Sequence, residues 1–257
     1  MKLKTAAFSA IKPNIYFIIC QNIVGYRMCY SNLAMEKEPP ISIQDRAELL
    51  SEVSDNFGCG LYRFEKTGRA HLEALIRNGL NPWDKFLDIG CGALCSGYWI
   101  MHFLDASKYH GIEPNIDMFE KGASYILEDN LIEHKQPKFD HNDQFDFSIF
   151  NIKFNYMFAH SIWTHCGKKD IQKMLDGFLY HSTDQAKFLT TIKLPDLFHR
   201  DYKKDAWVGK SHESDVPGTV RHSLKWIKNA CSERGLDMTK LAGEKIHTQH
   251  LILITKN

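Results

Sequence analysis

The 257-residue chain contains no Cys-x-x-Cys pair, no His-x-x-x-His and no His-Glu-x-x-His. Its seven cysteines, Cys20, Cys29, Cys59, Cys91, Cys95, Cys166 and Cys231, are odd in number and irregularly spaced. These absences argue against a zinc knuckle, a metalloprotease helix and a disulfide framework. They predict free thiols in a reducing, cytoplasmic setting and no dedicated metal site. A surplus of charge is lacking too: 32 Lys and Arg stand against 31 Asp and Glu, a formal net charge of +1. Such a balance exerts no general pull on nucleic acid or anionic membranes, and neither is expected as a partner. No apolar run reaches the ~18 residues that a membrane span needs. The runs at 6–11 and 15–20 are split by Lys12, Pro13 and Asn14. No acidic residue precedes Glu36, whereas Lys2, Lys4, Lys12 and Arg27 do. That bias suits a targeting peptide; the broken apolar run and the missing cleavage motif favour a tail, or an upstream start with Met35 opening the domain. Residues 1–40 are read as an N-terminal extension, flexible or targeting.

What is present begins near Ile41. Ser42 can cap a helix over 42–53, and a second helix over 66–78 carries Leu72, Leu75 and Ile76 at helical spacing, ended by Gly79. Together these make a helical cap over 41–80. A domain over 81–257 follows, in which short apolar runs alternate with helical stretches. Strands are expected at 85–89, 109–113, 139–141, 154–161 and 188–194, and helices at 97–104, 116–127, 168–180 and 219–234. The irregular stretch 195–218 reads as an insert on the acceptor side. Two last strands, 236–241 and 250–255, joined by a turn over 242–249, must pair antiparallel because the connection is short. Right-handed crossovers then give a Rossmann-like α/β fold: a doubly wound, mostly parallel seven-stranded sheet ending in an antiparallel hairpin.

The chemistry concentrates at Phe86-Leu87-Asp88-Ile89-Gly90-Cys91-Gly92-Ala93-Leu94. An apolar strand carries Asp88 to its C-terminal edge, where ligands of open α/β sheets bind. Gly90 and Gly92 let the backbone turn and approach a ligand, and the helix that follows offers free N–H groups to an anionic group. Glu113 closes the next strand, where a carboxylate can accept from both ribose hydroxyls. The pair points to an adenosine-containing cofactor.

Asp-Ile-Gly-Cys-Gly followed by Gly-Ile-Glu-Pro-Asn resembles motif I and the acidic motif of class I S-adenosylmethionine-dependent methyltransferases. The segment Tyr156-Met157-Phe158-Ala159-His160-Ser161-Ile162-Trp163-Thr164-His165 is similar to strand four of their small-molecule branch. The resemblance implies methyl transfer from S-adenosylmethionine to a small-molecule acceptor, at oxygen or nitrogen, by a monomer or homodimer. It places Asp88, Gly90, Cys91 and Gly92 around the methionine end of the cofactor, and Glu113 with Pro114 at the ribose. Asp143, with Gln144 beside it, is chosen over Asp140 for the adenine amino group. His160 and Ser161 border the reactive end. His160 and His165 are the candidate general bases for a hydroxyl acceptor, although His165 also reads as a buried histidine bonded to backbone. Trp163 reads as core or pocket wall, and His199, His212 and His222 lie in or beside the insert where the acceptor would be recognised. The pattern departs from the family at Leu94, where a third glycine is usual, and at Asn155, where Asp is frequent. Two other readings stay open. An NAD-dependent oxidoreductase shares the ribose carboxylate but calls for Gly-x-Gly-x-x-Gly, whose third position here is Cys95. A non-catalytic binding protein retaining the fold is the other.

Overall fold

The computed structural model describes Ser42, Asp45 and residues 63–126, 129–209 and 216–257. All of these belong to one unit of the chain, Ser42–Asn257. The Ser42 hydroxyl accepts the Asp45 N–H at 3.1 Å, the capping contact expected there; the remainder of the helix expected over 42–53 lies outside the described residues.

Short apolar runs in the middle of the chain become strands β1 (Phe86–Ile89), β2 (Tyr109–Ile112), β3 (Lys138–Asp140) and β4 (Phe154–Ala159). They are followed by β5 (Ser182–Ile192), β6 (Leu236–Ile246) and β7 (Gln249–Lys256). The order across the sheet is β3-β2-β1-β4-β5-β7-β6. Neighbours from β3 to β5 pair parallel, and β7 runs antiparallel to both β5 and β6. Because successive side chains point to opposite faces, each central strand feeds two cores. Phe86, Tyr109, Tyr156, Phe158 and Leu189 pack on one face with Phe64, Leu75, Tyr98 and Met101. Leu87, Ile89, Met157, Phe188 and Ile252 pack on the other with Leu175, Phe178 and Ile227.

The covering helices are α1 (Gly68–Arg77), entered through a π-turn at Arg63–Thr67, then α2 (Gly97–Phe103), α3 (Ile116–Ile126), α4 (Asp129–Lys135), α5 (Lys168–His181) and α6 (Leu224–Ser232). None is long and apolar enough to cross a membrane, among the described residues. Several details differ from the sequence reading. α1 buries Gly68, His71, Ala74 and Leu75, while Ile76 is 43% exposed. The inward stripe is therefore rotated, and a histidine occupies the place expected of a leucine. α6 begins only at Leu224, five residues later than expected, where the Ser223 hydroxyl accepts the Trp226 N–H. The turn expected over 242–249 is instead mostly ladder: β6 continues to Ile246 through an irregularity between Lys240 and Lys245.

The chain runs outward from β1 through β2 to β3, then returns to place β4 on the other side of β1. Connections after β1 and β4 therefore leave in opposite directions and open a crevice beyond the strand ends.

Candidate active site

That crevice is a cavity of about 480 Å³. On one wall lie Asp88, Gly90, Cys91 and Gly92 from the end of β1. Phe158, His160, Ser161 and His165 from the end of β4 form another. Thr67 and His71 close it from the entry to α1, and Lys193, Thr219, His247, Thr248 and Gln249 come from beyond β5 and β7.

The glycine loop has a backbone that side chains resist. Gly90 and Gly92 sit at φ +74° and +57°, so bare backbone faces the cavity at both. A Cβ on Gly90 would come within 2.2 Å of the Ile162 side chain. Leu94, where the motif that this loop resembles has a third glycine, has a left-handed φ of +59° and is fully buried. The leucine preserves the loop's course and adds an apolar anchor, at a strain of about 1–2 kcal/mol.

Asp88 is 4% exposed, and its carboxylate accepts the Tyr109 hydroxyl at 2.7 Å. Burial pushes its pKa up to about 7, with Glu113 adding repulsion and the Tyr109 bond opposing. The same burial, joined by repulsion from Asp88 and Glu113, holds the Cys91 thiol well above its usual range. Glu113 is buried behind the loop: one carboxylate oxygen accepts the Gly92 N–H at 3.0 Å and the other the Asn115 N–H at 2.9 Å. It fixes the tip of β2 to the glycine loop and does not line the cavity. Pro114, half-buried beside it, does not line it either.

At the end of β4, Ser161 has a left-handed φ of +62°, and its N–H donates to the Thr191 hydroxyl at 2.8 Å. The Gln249 amide bridges the two residues, donating to Ser161 Oγ at 3.0 Å and accepting from Thr191 at 2.6 Å. His160 packs its ring on His71, centroids 4.0 Å apart, and stacks on Phe158. His71 Nδ1 shares a hydrogen bond with Ser96 Oγ, and its buried Nε2 has no hydrogen-bond partner. Burial first, then His160 and His247, holds the His71 pKa well below the usual range, so it is neutral at pH 7.

His165 Nδ1 lies 2.6 Å from the Val208 carbonyl. A carbonyl only accepts, so Nδ1 carries the hydrogen and Nε2 the basic lone pair. The Trp207 ring stacks on the imidazole at 5.7 Å, and a Cβ on Gly209 would meet Nδ1 at 2.4 Å. The insert thus clamps His165. It is itself tied down by Lys168, whose ammonium pairs with Asp201 at 3.0 Å and lies 3.9 Å from the Trp226 ring centroid.

The structure therefore gathers Asp88, Gly90, Cys91, Gly92, His160, Ser161 and His165 around one cavity. It keeps Asp143 and Gln144 outside: both are exposed and bonded to each other at 2.8 Å. Among the insert histidines, His222 is buried against the Cys166 carbonyl with its pKa pushed down to about 4 by burial. His199 is exposed and bonded to Asp196, and His212 lies outside the described residues. Trp163 is fully buried against Phe188. Cys91, Cys166 and Cys231 are free, whereas Cys95 is disulfide-bonded, which corrects the expectation of free thiols throughout. Irregular spacing carries no information on which loops the fold apposes. No group of three or more His, Cys, Asp or Glu that could hold a metal occurs among the described residues. The sequence reading missed His71, Lys193, Thr219 and His247, which reach the cavity from four separate segments. None of the four left a local signal, since helix spacing had put Leu72 in the inward place that His71 takes.

No protein-family model matches the chain, and no curated protein matches it by sequence. Solved structures do match the fold. DesVI of Streptomyces venezuelae aligns over 81% of this chain and 98% of its own, at 15% identity and a TM-score of 0.59. The sugar N-methyltransferase KedS8 from Streptoalloteichus sp ATCC 53650 aligns over 90% and 100%, at 11% identity and a TM-score of 0.56. Magnesium protoporphyrin IX methyltransferase from Synechocystis PCC 6803, with bound SAH, aligns over 86% and 90%, at 10% identity and a TM-score of 0.55. At these identities the likeness is one of fold.

Proposed function

We propose that this chain is an S-adenosylmethionine-dependent methyltransferase acting on a small-molecule acceptor at oxygen or nitrogen. One observation carries the reading: a cavity at the β1/β4 switch point is lined by bare glycine backbone and Asp88 from the end of β1 and by His160 and His165 from the end of β4. The residues fit the cofactor. Positive φ at Gly90 and Gly92 leaves room for close approach, and Asp88 supplies a carboxyl group at the strand tip.

In this reading Asp88, Gly90, Cys91 and Gly92 hold the methionine end, and Ser161 and His160 border the reacting centre. Glu113, followed by Pro114, is the ribose carboxylate, each of its oxygens already holding one backbone N–H in place. Asp143 and Gln144, in the loop that follows β3, are kept as the adenine partners although they do not line the cavity. Bound there, S-adenosylmethionine supplies a methyl group on an activated sulfonium leaving group. The protein's share of the work is alignment and exclusion of water. His165 is the general base for a hydroxyl acceptor: the Val208 carbonyl fixes its tautomer, and the Trp207 ring and Gly209 fix its plane. His160, held against His71, is the second candidate. The reaction needs nothing further from the protein than a proton acceptor at that atom.

Calorimetric titration with S-adenosylmethionine, S-adenosylhomocysteine and NAD tests the reading. Micromolar-range binding of the first two is expected. Heat with NAD alone favours the oxidoreductase, and no heat with any of the three favours a non-catalytic protein.

A further inference from the structure

Ionisable groups are unevenly distributed around the cavity. Among the described lining residues Asp88 is the only carboxylic acid, and it stands on the glycine-loop wall. The segments after β4 and β5 and the turn before β7 bring Lys193, His160, His165 and His247 to the cavity.

Lys193 is the permanent cation of that set. It is half-buried, immediately after β5, and its ammonium donates to Thr219 Oγ at 3.0 Å. No ion pair involves it among the described residues. Lys168 holds Asp201 at 3.0 Å. Asp196, three positions beyond Lys193, is committed to Arg221 at 3.1 Å and to His199 at 2.9 Å. With one neutral hydroxyl as its hydrogen-bond partner among the described residues, the Lys193 ammonium can pair with an anionic group in the cavity it lines. Thr219 Oγ accepts from Lys193, so its own hydrogen is turned to another acceptor. Both groups line the same cavity and can donate to one ligand there.

Building on the methyltransferase reading, we propose that the methyl acceptor carries an anionic oxygen group, a carboxylate or phosphate, which pairs with Lys193 and Thr219. Lysine suits this role as a point charge that accepts either geometry. The anion anchors the acceptor at the β5 end and leaves its nucleophilic atom toward His165 and His160.

Matched fragments test this in ligand-observed NMR: benzoate against benzamide, and phenyl phosphate against phenol, each with protein saturated by S-adenosylhomocysteine. Wild type and Lys193→Arg are expected to bind at least one anionic member in preference to its neutral counterpart. Lys193→Gln should weaken that binding at least tenfold and leave the neutral pair unchanged. Preference for benzoate or for phenyl phosphate distinguishes carboxylate from phosphate. The proposal is overturned if neither anion registers, if each binds no better than its neutral partner, or if Lys193→Gln binds the anion as well as wild type does. Calorimetry with S-adenosylhomocysteine is run on both proteins, and equal affinity shows that the variant is folded. If wild type itself fails to bind that cofactor product, the methyltransferase reading falls. The fragment series in cofactor-free protein still decides the anion site.

Discussion

The protonation of Asp88 offers a quantitative test of the site's electrostatics. The unfolded chain releases this proton near pH 3.8 and the folded protein at about 7. Well below pH 3.8 both states hold the proton, and Asp88 contributes no pH dependence. Between the two values the unfolded state ionises while the folded state stays protonated, so stability falls by up to about 1.4 kcal/mol per pH unit. Above pH 7 both are ionised and the loss levels off at about 4 kcal/mol. Asp88→Asn keeps the acceptor for the Tyr109 hydroxyl and removes the ionisation. The stability of Asp88→Asn relative to wild type should therefore rise by about 3 kcal/mol between pH 5 and pH 8. Urea unfolding at half-unit pH intervals measures this difference directly, because other titrating groups are common to both proteins. A difference constant to within about 0.5 kcal/mol would refute the argument, since it would mean that the folded protein ionises Asp88 as readily as water does. The variant should also bind S-adenosylmethionine at least tenfold more weakly at pH 8, where wild type presents the carboxylate.

The two loop glycines should respond unequally to alanine. Gly90→Ala combines left-handed strain with a clash against Ile162 and should cost about 2–3 kcal/mol, whereas Gly92→Ala, whose Cβ meets only Met118 at 3.7 Å, should cost about 1. Thermal or urea melts giving the reverse order would contradict the loop geometry. At Leu94, glycine should outperform alanine: both lose the buried side chain, a loss of about 2–5 kcal/mol, but only glycine relieves the positive φ, by about 1 kcal/mol. Denaturant midpoints rank the two. His165→Asn should lower kcat by about 10²–10⁴-fold for a hydroxyl acceptor while leaving cofactor affinity within about twofold. Single-turnover kinetics with calorimetry separates the two effects, and an unchanged kcat removes His165 from the chemistry.

Strands β1, β2 and β4 were legible because each is a short apolar run bounded by turn residues, and a strand buried on both faces requires that. β5 was read six residues short because Ser182-Thr183-Asp184-Gln185-Ala186-Lys187 has no apolar alternation. Pairing to β4 extends the strand anyway, through an irregularity opposite Phe154–Tyr156. β6 was shortened for a related reason: Gly243, Glu244 and Lys245 look like a turn, yet the ladder with β7 bridges them, and the reversal occurs at His247, with φ +55°. In both cases cross-strand contacts outweigh local preference.

The same distinction runs through the site. Asp88, Gly90 and Gly92 could be found because one loop must supply a strand-tip acid and left-handed backbone within a few residues, a demand that acts on neighbours in sequence. Lys193, Thr219, His71 and His247 answer to no such local demand. They share a cavity because β5 and β7 lie side by side and α1 crosses the sheet face, and helix spacing alone had assigned the inward place of His71 to Leu72. The proposed cofactor contacts therefore lie along the chain, and the proposed acceptor contacts lie across it. It follows that single substitutions at 88–94 should act on cofactor affinity and loop stability together. Changes at Lys193 should alter acceptor choice and leave the cofactor's half of the cavity as it is.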